Sequence, residues 1–143
     1  SAPQIRYPDC YGIDMAKLGD FIAFQAAVEL LKDQDKLSIM DEVYQLCKTA
    51  EIEGKLKEEN FVKRIYESFS YEEVSKKIAS LLTNENINAE VEIIFQTVSN
   101  LHKACPNHTG DWYFTGNYPT PGGNKVVNKS FINYVEGVNK RAY

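Results

Sequence analysis

Cysteine, histidine and tryptophan are scarce in this chain, with three, two and one copies, and it has no run of apolar residues long enough to cross a bilayer. Each shortage removes a class of function. Three cysteines at wide spacing make no disulfide framework, so the default is a reduced, cytoplasmic protein. The N-x-S/T triplets at Asn107 and Asn128 then carry no glycosylation meaning. Two histidines leave little room for nucleophile–base chemistry. A basic excess is also missing: 16 Lys and Arg stand against 20 Asp and Glu, for a net charge of −4. Without a basic stripe the chain is not a general nucleic-acid binder. No signal peptide is present, and the opening Ser1-Ala2-Pro3 in place of a methionine reads as the middle of a longer polypeptide. The 143 residues suit one domain with one core.

What the chain has in quantity is capped helical stripes. Residues 1–13 carry Pro3, Pro8 and Gly12 without a helical period and read as an extended leader. Asp14 is a good N-cap, and Phe21, Phe24, Val28 and Leu31 fall on one stripe, predicting a helix over Met15 to Lys32. Ser38 with Asp41 resembles a capping box for a second helix, buried through Ile39, Val43 and Leu46 and stopped near Gly54. A short helix around Phe61 to Phe69 follows. Ser70 and Glu73 form a full S-x-x-E box ahead of Val74, Ile78, Leu81 and Leu82, the clearest amphipathic helix, over Tyr71 to Leu82. Asn88 caps a further helix toward Cys105, with Val91, Ile94, Phe95, Val98 and Leu101 inward. Residues 106–127 read as a loop in which only Trp112 to Thr115 suits a short strand. Asn128 opens the last helix, 128–143. The expected fold is mainly α: an irregular bundle of about five or six helices over 14–105 and 128–143, with an extended leader and at most a short strand pair.

Candidate sites weigh lightly against ordinary structural readings. His102, Cys105 and His108 step by three and are good zinc ligands, but a closed zinc site normally shows a second matching pair; a helix-end cysteine with two solvated histidines is the preferred reading, and no metal is expected. Pro121-Gly122-Gly123-Asn124-Lys125 has glycines before a lysine, yet lacks the spacing and preceding strand of a phosphate loop, and reads as a turn. Cys47 sits in a helical pattern and reads as core. The Glu51/Glu53 and Glu72/Glu73 pairs read as solvated helix faces. No catalytic constellation emerges.

Two stretches carry a resemblance. The first, "SAPQIRYPDCYGID", is similar to the S-[SA]-P-P-[IV]-x-[HY]-P-x-x-Y-G-I-D segment of glutamine phosphoribosylpyrophosphate amidotransferases, through Ser1, Pro3, Ile5, Tyr7, Pro8, Tyr11, Gly12, Ile13 and Asp14. Gln4 departs from the family's second proline. The second, "YFTGNYPT", resembles the family's C-F-T-G-x-Y-P-T block through Phe114, Thr115, Gly116, Tyr118, Pro119 and Thr120. Between Lys36 and Asn107 the likeness is loose, and Lys36 to about Glu59 reads as an insertion. The resemblance implies a C-terminal flanking segment of an enzyme that makes 5-phosphoribosylamine from phosphoribosyl pyrophosphate and glutamine in purine synthesis. The family's nucleophilic cysteine and its V-D-D-S-[IL]-V-R-G-T-T phosphate signature are not in this chain, so the segment is expected to be inactive alone. Its implied partners are the glutaminase and transferase domains of its own polypeptide, in a homo-oligomer, with neither nucleic acid nor membrane. Magnesium belongs to the transferase domain. Some members hold an iron–sulfur cluster on four cysteines. The matching positions here are Asp9, Gly110 and Tyr113, which implies a cluster-free branch with Trp112, Tyr113 and Phe114 packing that corner. The alternative function is a free-standing helical interaction module.

Overall fold

The computed structural model describes residues 3–7, 17–83, 99–100 and 112–138. All regular structure among them is helical, as the capped stripes predict. A 3-10 turn, Leu18–Asp20, leads into α1 (Ile22–Asp33), followed by α2 (Ser38–Ile52), α3 (Lys63–Tyr66), α4 (Tyr71–Leu82), the single turn α5 (Trp112–Thr115) and α6 (Pro121–Glu136).

Local chemistry explains most boundaries. The Ser70 side chain accepts from the Glu73 amide at 3.1 Å and the Glu73 carboxylate accepts from the Ser70 amide at 3.4 Å, so α4 starts where its box predicts. Gly54 sits at φ +71° just after α2, a conformation that costs glycine little. Three boundaries differ from expectation. Helix α1 begins at Ile22 because Phe21 is extended (φ −81°, ψ 122°) and the preceding residues form the 3-10 turn. Ser38 is inside α2, whose N-cap is Leu37 with no side-chain bond, so the Ser38/Asp41 box does not form. The last helix opens seven residues before Asn128: Pro121 stands in the first turn, where a missing N–H is harmless, and Gly137 at φ +70° closes the helix. The Trp112 to Thr115 stretch is a helical turn, not a strand. The expected helix from Asn88 to Cys105 lies outside the described residues apart from Ser99 and Asn100, which are helical.

One core joins these elements. Phe24, Leu31, Val43, Cys47, Ile65, Val74, Ile78, Val127 and Phe131 are all fully or almost fully buried. Helix α1 lies against α4, and α2 against α6. Phe24 meets Phe131 and Tyr134 edge to face, at 6.4 and 4.9 Å between centroids. Because α2 supplies Val43, Cys47 and Ala50, the stretch expected as an insertion is integral to the core. Burial pushes the Cys47 thiol up to about 12, so it stays neutral. The α2–α6 seam is finished by charge. Glu51 accepts from Lys129 at 2.7 Å and Lys48 at 3.2 Å, and Glu136 accepts from the Tyr44 hydroxyl at 2.7 Å and pairs with Lys48 at 3.4 Å. Glu51 is therefore a bridging residue, not a free solvated acid. Lys129, then Lys48, hold its carboxyl below the ordinary range.

Candidate functional site

The two segments that carry the family resemblance are distant in sequence and adjacent in space. Residues 3–7 lie against α4 and α3. Gln4 is 1% exposed, and its neighbours show why: its amide N–H donates to the Tyr71 hydroxyl at 2.6 Å, and its side-chain Nε2 donates to the Tyr71 carbonyl at 3.0 Å and to Ser75 Oγ at 2.7 Å. Its Oε1 accepts from Arg6 Nε at 3.0 Å and from the guanidinium terminus at 2.8 Å. The Arg6 guanidinium in turn lies over the rings of Tyr66 and Tyr71, at 4.6 and 5.1 Å. The Tyr66 hydroxyl donates to the Arg6 carbonyl at 3.1 Å. Residues 3–7 thus form a strap held by α3 and α4.

Tyr7 of the strap is 2% exposed and edge-on to Tyr66 at 5.5 Å. Against Tyr7 lies Gly116 of the second motif. A Cβ on Gly116 would stand 2.8 Å from Tyr7 Cζ and 2.7 Å from Asn60 Nδ2, and its φ of +75° already favours glycine. Asn60 Nδ2 donates to the Gly116 carbonyl at 3.0 Å, while Asn60 Oδ1 accepts from the Val62 amide at 3.1 Å. Beyond the turn, Tyr118 packs on Gly123, where a Cβ would come within 2.4 Å of the ring. That contact requires glycine at position 123, and the Pro-Gly-Gly stretch expected as a turn is the first turn of α6.

Asn128 completes the framework. It is fully buried, donates to the carbonyls of Leu56 and Glu59 at 3.0 and 2.7 Å, and its Oδ1 accepts from the Phe61 amide at 3.1 Å. One side chain thereby satisfies three backbone groups of the 53–62 loop. Asn60 and Asn128 together fix that loop to both the second motif and α6.

Chemically this junction is closed. Burial raises the pKa of both Tyr7 and Tyr66, so the phenols stay protonated, and the Arg6 cation is committed to Gln4 and two rings. The described groups of the joint hold chain segments together. Of the motif residues, Pro3 and Gly116 are buried, Phe114, Thr115 and Tyr118 are half-buried, and Pro119 and Thr120 are exposed. Thr115 Oγ1 accepts from the Asn117 amide at 3.1 Å, which tightens the turn. Pro8, Tyr11, Gly12, Ile13 and Asp14 lie outside the described residues, as do His102, Cys105, His108 and the side chains of Trp112 and Tyr113. Among the described residues no cluster of three metal-ligating side chains occurs, and no helix is long and apolar enough to cross a membrane.

Sequence reasoning missed Gln4, Arg6, Asn60 and Asn128. Only Asn128 carried a signal: a polar residue in register with Phe131 and Ile132 on a buried stripe. The chain has no significant match among protein-family models, curated proteins or solved structures.

Proposed function

We propose that this chain is the C-terminal flanking module of a glutamine phosphoribosylpyrophosphate amidotransferase, and that its work is structural. The observation that carries the reading is the packing of Tyr7, in the S-x-P-x-I-x-Y-P segment, on Gly116, in the F-T-G-x-Y-P-T segment. Two stretches that resemble one family at separate places are parts of a single buried joint. A strap and a turn locked in this way hold the chain that leads in from a transferase domain at a fixed angle to the bundle. The chemistry itself needs positioned cations and backbone donors for the pyrophosphate, and the family signature for these belongs to the transferase domain.

On this reading the segment alone releases no ammonia from glutamine and makes no phosphoribosylamine, whereas the whole polypeptide does both. The decisive experiment reads the coding frame upstream of Ser1 and assays the full-length product. A D-D-S-x-V-R-G-T-T-like run and phosphoribosyl pyrophosphate-dependent glutamine consumption are expected. A frame without that run, or turnover by the purified segment, overturns the proposal. Anaerobic reconstitution of the full-length enzyme with iron and sulfide is expected to leave no stoichiometric iron, because Asp9, Gly110 and Tyr113 supply no thiolates.

A further inference from the structure

The outer face of α2 and the loop after it form an open groove of about 480 Å³. Its floor is apolar: Leu46 is 37% exposed, beside Ala50 and a half-buried Phe61. Its rim is acidic. Glu42 stands at one end of α2, Glu53 at the other, and Glu58 faces them from the loop. The single cation on the rim, Lys55, is already paired with Glu53 at 3.7 Å. The carboxylates of Glu42 and Glu58 have no ion-pair or hydrogen-bond partner among the described residues. From Glu42 to Glu53 the groove follows α2 for roughly 17 Å, about three turns of helix.

We infer that this groove is a docking surface for a basic amphipathic helix, which lays an apolar stripe over Leu46, Ala50 and Phe61 and sets Lys or Arg side chains against Glu42 and Glu58. The chemistry of the rim selects the occupant. An apolar floor takes aliphatic anchors at helical spacing, and unpaired carboxylates on both sides favour a cationic partner in encounter and in register. A second copy of this chain fits badly, because its net charge of −4 opposes approach to an acidic rim. All the lining residues but Phe61 lie within 36–59, the stretch the family resemblance covers poorly, so the surface is a property of this chain and does not rest on the proposed parent enzyme.

The test uses the whole chain and a fluorescein-labelled peptide of about fourteen residues, with leucines at i, i+4 and i+7 and lysines elsewhere. Anisotropy is expected to show saturable one-to-one binding that weakens at least tenfold in the double variant Glu42→Lys, Glu58→Lys, and comparably in Leu46→Asp. Both variants should keep the parent helical circular dichroism, since all three side chains are solvent-facing. A control with two charges reversed elsewhere, Glu29→Lys with Glu72→Lys, should bind within twofold of the parent. Absence of binding overturns the inference, as does equal loss in the control, which reports only net charge. A dimer in light scattering that the groove variants abolish overturns it too, because the occupant is then a second copy.

Discussion

Replacing Asn128 by alanine tests the framework at its most connected point. The side chain is fully buried and serves the Leu56 carbonyl, the Glu59 carbonyl and the Phe61 amide. Alanine leaves all three without it. A buried backbone group that loses its partner costs about 1–3 kcal/mol. Leu56 is 7% exposed, so its carbonyl bears the full penalty, whereas Glu59 lies at the surface, where water replaces part of what is lost. Weighting the three accordingly gives a destabilisation of about 3 kcal/mol, a sizeable share of the roughly 5–15 kcal/mol that holds a domain together. The neighbouring Lys129→Ala removes only a half-exposed ion pair to Glu51 and should cost less than about 1 kcal/mol. Urea unfolding followed by circular dichroism at neutral pH measures both. Asn128→Asp adds a second check: it keeps an acceptor for the Phe61 amide but turns a negative charge toward two carbonyls, so it should be no better than alanine. If Asn128→Ala costs less than about 1 kcal/mol, the loop does not depend on this side chain and the account of the framework fails.

Further outcomes follow from the same geometry. Gly116→Ala forces a Cβ against Tyr7 and Asn60 at a left-handed φ and should destabilise by about 2–4 kcal/mol, whereas Gly54→Ala, at a similar φ with open space around it, should cost only about 1 kcal/mol; equal effects in urea would mean the Tyr7 contact is unimportant. Gln4→Pro restores the residue of the resembled motif but deletes the amide donor to Tyr71 and the side-chain bonds to Tyr71 and Ser75, so thermal unfolding should shift downward and limited proteolysis should cut the strap earlier; an unchanged cleavage rate would refute its anchoring role. Stability should be flat through neutrality and fall in alkali. Cys47, Tyr7 and Tyr66 have folded pKa values raised by burial, so the unfolded chain loses these protons first. The loss begins above about pH 9 for Cys47 and above about pH 10 for the tyrosines, at no more than about 1.4 kcal/mol per pH unit for each group. A urea midpoint that stays constant to pH 11 would contradict the burial.

What could be read in the sequence was what is coded within a few residues. The Ser70/Glu73 box, the Phe24–Val28–Leu31 stripe and the stop at Gly54 depend on neighbours one to four positions away, and each appears where expected. The start of α6 goes with a packing contact that no local pattern displays. Pro-Gly-Gly favours a turn in isolation, but Tyr118 needs a side chain-free surface and finds it at Gly123 on a helix. Asn128 was expected to open the last helix but lies inside it, and its part as a loop anchor was hidden because its three partners lie 67 to 72 residues away. The joint itself shows the same division. The motif residues marked where the two segments lie, while their being in contact is a tertiary fact mediated by Asn60 and Tyr66, which no local pattern singled out.

The closure of the core by its two ends bears on how the chain acquires its structure. The Leu18 amide finds its acceptor in Ser130, 112 residues onward, and Tyr7 finds its packing partner in Gly116. Helices α1 and α2 can form as they are made, but the apolar faces of Phe24 and Val43 have no complete cover until α6 exists. Contacts of such long range slow folding, because loop closure precedes any gain from them. On a ribosome, where synthesis runs from the N-terminus, the bundle stays partly open until its last helix emerges. Premature termination anywhere before Pro121 therefore removes far more than a terminal helix: it leaves a half-built core with an exposed apolar seam, a product suited to capture by chaperones and proteases.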